Sequence, residues 1–207
     1  MFITFEGGEG SGKSAMSNRL CEFLNEHGVT VLHIAEPGGT PTGDKLTDIL
    51  KNSLPEQITP LTELFLFNAS RSQLVDTVIR PALYKGQVVV CDRYVDSTVA
   101  YQGYGRGLDL DMVWACCDMA TGSLMPELTI FLDIPPSQGL KRKSQSDINR
   151  FEKEEQTFHQ AVHSGFQKIL QDEPWRFYAI DATLPANEVF NLIIDKISEY
   201  IDLSGIN

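Results

Sequence analysis

The octapeptide Gly7-Gly8-Glu9-Gly10-Ser11-Gly12-Lys13-Ser14 follows directly on the apolar run Met1-Phe2-Ile3-Thr4-Phe5. It fits G-x-x-x-x-G-K-[ST], a loop that joins a strand to a helix and cradles the phosphates of a nucleoside triphosphate. Glycines let successive backbone N–H groups curve inward around phosphate oxygens. Lys13 reaches the β- and γ-phosphates, the Ser14 hydroxyl suits Mg²⁺, and the helix beyond points its positive end at the same anion. Gly7, Gly8, Glu9, Gly10, Ser11, Gly12, Lys13 and Ser14 are therefore the expected ATP-binding residues.

A strand–loop–helix unit of this kind needs a sheet to pack against, and the rest of the chain supplies one. Five β-rich runs are expected at Phe2–Phe5, Val29–Ile34, Val88–Cys91, Thr129–Asp133 and Phe177–Ile180, separated by stretches of helical periodicity. Ser14–His27 places Met16, Leu20, Phe23 and Leu24 on one stripe before the stop at Gly28. Thr59-Pro60 opens a long helix that the pattern carries to about Arg80, ahead of Pro81. After Pro185, Ala186, Phe190, Ile193, Ile197, Tyr200 and Ile201 form an amphipathic stripe. Alternating β and α units predict an α/β fold, a parallel sheet covered by helices on both faces.

Composition narrows the ligand. With 207 residues the chain is read as one domain, residues 1–207, and its formal net charge of −11 disfavours a polynucleotide partner. A mononucleotide needs only local positive charge. No apolar run reaches the roughly 18–20 residues that span a membrane. There is no positively charged leader pattern, and Cys21, Cys91, Cys116 and Cys117 form no C-x-x-C pair. The expected setting is the reducing cytoplasm.

Ligands of such sheets bind at the carboxyl ends of the strands. There the sequence places Glu36-Pro37-Gly38-Gly39-Thr40 after the second strand and Asp92-Arg93-Tyr94 after the third. Asp92 is the expected second support of Mg²⁺ beside Ser14. The Arg93 fork suits phosphate oxygens. Asp133, ending the fourth strand, reads as a cap before Pro135-Pro136. Phe67 and Arg71 share a helix face, where they are either a stacking and donating pair for a nucleobase or a core residue beside a surface one. His159 and His163 read as an ordinary helix face, without the third ligand a metal would need. Cys116 and Cys117 are expected on a helix, unlinked.

Phe5-Glu6-Gly7 through Ser14, Glu36-Pro37-Gly38-Gly39-Thr40, Leu66-Phe67-Asn68-Ala69-Ser70-Arg71 and the block Asp92-Arg93-Tyr94-Val95-Asp96-Ser97 through Ala100-Tyr101-Gln102-Gly103-Tyr104-Gly105-Arg106-Gly107 together resemble the bacterial thymidylate kinases. The resemblance covers nearly the whole chain. It implies the nucleoside-monophosphate kinase type of phosphate-loop fold, three layers around a five-stranded parallel sheet, with a short lid near residues 141–152. It also implies transfer of the γ-phosphoryl group of MgATP to dTMP, on the route to dTTP, by a homodimer.

Carried over residue by residue, Phe67 would stack on thymine and Arg71 would donate to a base carbonyl. Thr98 and Gln102 would read the polar edge, Tyr101 would crowd the 2′ position, and Glu9 would lie near the 3′-hydroxyl. Glu36 and Pro37 would line the acceptor site and Arg93 would hold its phosphate. Lys13, Arg93, Arg142 and Arg150 would supply the catalytic positive charge. Gly8-Glu9-Gly10-Ser11 contains no arginine, so the transition-state arginine would come from the lid, as Arg142 or Arg150. Ala35 and Thr47 stand where many relatives carry arginine, which suggests weaker monophosphate binding. The competing readings are another small-acceptor nucleotide or deoxynucleoside kinase and a catalytically weakened, regulatory nucleotide-binding protein. No N-K-x-D guanine-reading motif is present.

Overall fold

The computed structural model describes residues 1–51, 57–142, 151 and 154–203. Five strands, β1 (Phe2–Glu6), β2 (Val31–Ala35), β3 (Val88–Asp92), β4 (Leu128–Asp133) and β5 (Phe177–Asp181), form one sheet in the order β2-β3-β1-β4-β5. Every neighbouring pair is parallel.

β1, β3 and most of β4 are buried throughout, as expected for parallel strands covered on both faces. Side-chain alternation divides the core into two layers. Phe2, Val89, Cys91 and Phe131 face α3 (Pro60–Leu74), α6 (Leu110–Thr121) and α8 (Gln156–Asp172), alongside Leu64, Val113 and Phe166. Ile3, Phe5, Val90, Ile130 and Leu132 face α1 (Lys13–Glu26) and α9 (Ala186–Ile197), alongside Met16, Leu20, Leu24, Phe190 and Ile193. Each fully buried side chain of this size contributes roughly 1.5–3 kcal/mol. The first-helix stripe and Phe190, Ile193 and Ile197 of the last are thus faces that hold the sheet, whereas Ala186 and Tyr200 of the last stripe are exposed.

The long helix differs from its sequence reading. α3 begins as expected, with the Thr59 side chain accepting from the Thr62 N–H and proline at its start. It then widens into a π-helical stretch, Val75–Ile79, and continues as α4 (Arg80–Tyr84) through Pro81. The wider turn restarts the hydrogen-bond ladder, so proline occupies a first turn, where its missing N–H costs nothing.

A second π-helical stretch, Val99–Gly105, follows the short helix α5 (Val95–Thr98) and carries Tyr101 and Gln102. The remaining helices are α2 (Pro41–Lys51) and α7 (Pro136–Gly139), the latter continued by a 3₁₀ turn at Leu140–Arg142. The carboxyl ends of β1, β2 and β3, at Glu6, Ala35 and Asp92, open on one edge. β1 lies between β3 and β4, so its loop emerges at the topological switch point.

Candidate active site

The phosphate loop wraps its own lysine. Lys13 Nζ donates to the Gly8 carbonyl at 2.7 Å and to Ser11 Oγ at 3.1 Å. Burial, followed by the neighbouring positive charge of Arg93, pushes its ammonium down to about 8. A polyanion in this loop reverses the sense of that shift, because it supplies the missing negative charge. The loop sits hard against α7. A Cβ at Gly10 would lie 1.9 Å from the Gly139 carbonyl oxygen, and one at Gly139 would lie 2.1 Å from that of Glu9. Two glycines therefore set the loop's position against the end of β4, and Gly139 carried no signal in the sequence.

Ser14 and Asp92 come together as expected. Ser14 Oγ donates to Asp92 Oδ2 in a short hydrogen bond, and buried Asp92 Oδ1 has no hydrogen-bond partner among the described residues. A hydroxyl and a spare carboxylate oxygen beside a phosphate loop are the hard oxygen donors that Mg²⁺ takes, with water completing its octahedron. The residues present fit that ion.

Arg93 is the hub. Its φ of 69° places it in the left-handed region, unusual for a residue with a Cβ. From there Nη2 donates to Glu9 Oε1 at 2.6 Å and to the Tyr101 hydroxyl at 3.3 Å, while Nη1 donates to Ser97 Oγ at 3.2 Å. Tyr101 itself donates to Glu9 Oε1 at 2.8 Å, and burial raises its hydroxyl well above the ordinary value.

The turn that aims Arg93 rests on Glu6, which the sequence reading quoted only within a motif. Glu6 Oε1 accepts from the backbone N–H groups of Tyr94 at 2.7 Å and Ser97 at 3.2 Å, and Oε2 accepts from Ser97 Oγ at 2.5 Å. Burial, then Asp96, pushes its carboxyl up to about 8. A carboxylate ending an otherwise apolar strand was the available signal.

On the far side of Lys13, Phe67, Arg71, Thr98, Tyr101 and Gln102 line a cavity of about 270 Å³ with Glu9, Glu36, Pro37, Asp92 and Arg93. Phe67 and Arg71 therefore line one cavity, Phe67 also packing against the core. Arg71 is 1% exposed. Glu36 Oε2 lies 2.8 Å from both its Nε and its Nη2, and Nη2 also donates to Thr98 Oγ1 at 2.9 Å and the Tyr94 carbonyl at 3.1 Å. The Glu36–Pro37 peptide bond is cis.

Ala35 lines the same cavity where many relatives were expected to carry arginine, and so does Lys51, from the last turn of α2, which the sequence reading passed over. Thr47 instead bonds the Gly43 carbonyl at 2.9 Å. Phe151 closes the cavity wall, its ring 6.0 Å from that of Phe67.

A second cleft, about 530 Å³, lies across the loop and shares Glu9, Lys13 and Ser14 with the first. Its other lining residues include Gly10, Ser11, Gly12, Arg142, Ala182 and Val189. Arg142 Nη1 donates to the Ala182 carbonyl at 2.9 Å, which puts this arginine on the second cleft. Arg150 and most of the lid fall outside the described residues.

Asp133 does not cap the following turn. Its two oxygens face Nε2 of His163 and Nε2 of Gln167, each at 2.7 Å, tying β4 to α8. Among the described residues no group of three or more His, Cys, Asp or Glu could hold a metal, and the four cysteines are unlinked.

The two clefts share Glu9, Lys13 and Ser14, and Arg93 lies in the first of them, bonded to Glu9. The profile of the family described as thymidylate kinase matches residues 5–193. The chain belongs to the thymidylate kinase family. A thymidylate kinase of Dehalococcoides mccartyi is 52% identical over 96% of this chain and 95% of its own length. One from Desulfosudis oleivorans is 42% identical over 99% of each chain.

A crystal structure of thymidylate kinase from Ehrlichia chaffeensis superposes with a TM-score of 0.77 at 32% identity, covering 95% of this chain and 98% of that one. The thymidylate kinase reading of the sequence and its five-stranded phosphate-loop fold therefore hold. The protein is an ATP-dependent kinase that phosphorylates dTMP.

Proposed function

We propose that the 270 Å³ cavity receives dTMP, that the 530 Å³ cleft receives ATP, and that transfer takes place between Lys13 and Arg93. The observation that carries this reading is Arg93, whose guanidinium lies between Glu9 of the phosphate loop and Tyr101 of the cavity wall. There it can hold an acceptor phosphate while Lys13 holds the donor.

Phe67 offers a ring face to thymine, and Arg71 and Gln102 offer polar atoms to its edge. Tyr101, with its hydroxyl tied to Glu9, fills the region that a 2′-hydroxyl would need. Glu36 orients Arg71. A monophosphate with a second pKa near ~6 is largely dianionic at pH 7, so it arrives as a competent oxygen nucleophile. The protein's task is then alignment of two polyanions and neutralisation of their repulsion, and no dedicated base is required.

Ser14 and Asp92 would hold Mg²⁺, which when bound neutralises phosphate charge. Arg142 flanks the donor cleft, and Arg150 of the lid is the further candidate for charge at the transferred group. The same reading places the chain in the cytoplasm; among the described residues no helix is long and apolar enough to cross a membrane. It also makes the chain a homodimer. Exposed Leu61 and Phe65 of α3 and Met119 of α6 give a non-polar face for a second copy.

Arg93→Lys tests the assignment. Exchanging a fork that makes at least two charge-assisted bonds, each about 1.5–3 kcal/mol, for a point charge should lower kcat/KM for dTMP by at least ~100-fold. Activity within tenfold of wild type, in a variant of unchanged melting temperature, would remove Arg93 from the mechanism.

A further inference from the structure

Gln102 meets the acceptor cavity with one end of its amide and a buried carboxylate with the other. Its Nε2 donates to Glu63 Oε1 at 2.7 Å. Glu63, in the first turn of α3, is fully buried. It is held in turn by Arg106, whose Nε lies 3.2 Å from Oε1 and whose Nη2 lies 3.2 Å from Oε2. Arg106 is itself anchored, with Nη1 2.6 Å from Glu154.

An ionised carboxylate accepts hydrogen bonds and donates none. Both of its oxygens accept from the donor-only Arg106, so Glu63 meets Gln102 as an acceptor and only the NH₂ end of Gln102 can face it. The amide is thereby fixed in one of its two orientations by chemistry. Gln102 Oε1, which has no hydrogen-bond partner among the described residues, remains for the cavity that Gln102 lines beside Phe67, Arg71 and Thr98.

We infer that Glu63 is a specificity-determining positioning residue: by holding the Gln102 amide with its oxygen toward the cavity, it makes the site demand a pyrimidine that carries an imino N–H. This rests on the assignment of the cavity to the acceptor nucleotide. Arg71 can only donate and Gln102, so held, can only accept. The pair matches a ring carbonyl beside an N–H, the edge of thymine and uracil. Cytosine presents an amino group and a bare ring nitrogen in those places, reversed at both positions. A site whose buried polar groups are left unpaired by the wrong substrate rejects it strongly.

Glu63→Gln introduces an NH₂ opposite Gln102, which lets Gln102 turn its oxygen toward position 63, away from the cavity, and offer its own NH₂ to the base. The experiment measures kcat/KM for dTMP, dUMP and dCMP on each preparation. Ratios taken on one sample are unaffected by the fraction that is folded. In Glu63→Gln the dTMP-to-dCMP ratio should fall at least ~tenfold, the scale of one hydrogen bond restored, while the dTMP-to-dUMP ratio stays constant. An unchanged dTMP-to-dCMP ratio overturns the inference, as does a parallel shift against dUMP.

Should the variant fail to fold, the side-chain amide resonances of Gln102 in the ¹⁵N-labelled wild-type chain decide the matter. They should stay protected from solvent exchange and hold their positions when dTMP is added; a large shift with loss of protection overturns the inference. Wild-type protein that leaves dTMP unphosphorylated would instead refute the acceptor assignment, whereas activity on dTMP with an unchanged ratio in Glu63→Gln refutes only the role of Glu63.

Discussion

Arg71→Met isolates the ion pair beneath the acceptor cavity. Methionine keeps the aliphatic packing of the arginine stem but removes every donor that Glu36 and Thr98 use. Burial already raises the Glu36 carboxyl above its ordinary 4.5, and only Arg71 opposes that rise. Breaking a buried pair on one side costs about 3–5 kcal/mol if the orphaned charge persists. Glu36 has a cheaper course, which is to bind a proton.

At pH 7 that proton must be taken up 2.5 pH units above the ordinary carboxyl value, at about 1.36 kcal/mol per unit, or about 3.4 kcal/mol. At pH 5 the same uptake costs about 0.7 kcal/mol. The sign follows from linkage: a group whose folded pKa lies above its unfolded one contributes stability present below the unfolded value and lost as pH rises toward the folded value. The variant's deficit should thus grow from under about 1 kcal/mol at pH 5 to about 3 kcal/mol at pH 7, the latter a fall of roughly 6–12 °C in Tm. Urea unfolding followed by circular dichroism at pH 5, 6 and 7 measures it, and Glu36→Gln/Arg71→Met should show a deficit independent of pH. A pH-independent loss in the single variant, or one below about 1 kcal/mol at pH 7, would refute the account of this pair.

Lys13, pushed down to about 8 in the free protein, should regain its proton when ATP binds. Calorimetry at pH 8.5 in two buffers of different ionisation enthalpy should therefore show proton uptake, and identical apparent enthalpies would contradict it. The Glu6 carboxyl is pushed up to about 8, first by burial and then by Asp96, so its contribution is complete below its ordinary 4.5 and is lost as pH rises through 8. Glu6→Gln should flatten the dependence of stability on pH across that window; an unaltered slope would assign it elsewhere. Gly139→Ala drives a Cβ to within 2.1 Å of the Glu9 carbonyl and must displace the phosphate loop. ATP affinity should fall at least ~tenfold, at about 1.4 kcal/mol per decade, while dTMP binding without ATP changes less. Equal losses for both ligands would mean the strain spreads beyond the loop.

What the sequence disclosed and what it withheld divide along chain distance. The phosphate loop and the Asp92–Gly107 block were legible as local patterns, whereas spacing alone left the Phe67/Arg71 pair open and only the family resemblance assigned it to the site. β1, β3 and β4 were legible because burial on both faces leaves nearly continuous apolar runs, while β2 and β5, at the sheet edges and only partly buried, were legible from their β-rich composition. Glu63, by contrast, acquires its meaning from Gln102, 39 residues away, and Glu6 from Ser97, 91 residues away. Lys51 looked like an ordinary last-turn lysine until the fold brought it to the cavity. Pro81 misled because a proline in sequence marks a boundary, whereas the π-helical turn before it allows the helix to resume. Asp133 misled for a related reason: its partners, His163 and Gln167, lie on a helix that follows the lid.

The central claim is that two clefts sharing Lys13, with Arg93 in the acceptor one, pass a phosphoryl group from ATP to thymidine monophosphate. Transfer of label from [γ-³²P]ATP to dTMP, thymidine, dUMP, dCMP and dGMP, measured side by side, tests it most directly. The account expects labelled dTDP as the dominant product, a weaker signal from dUMP, and none from thymidine, whose missing phosphate leaves Arg93 unengaged. Labelled thymidine monophosphate, or no label on any acceptor while ATP still binds, would contradict it.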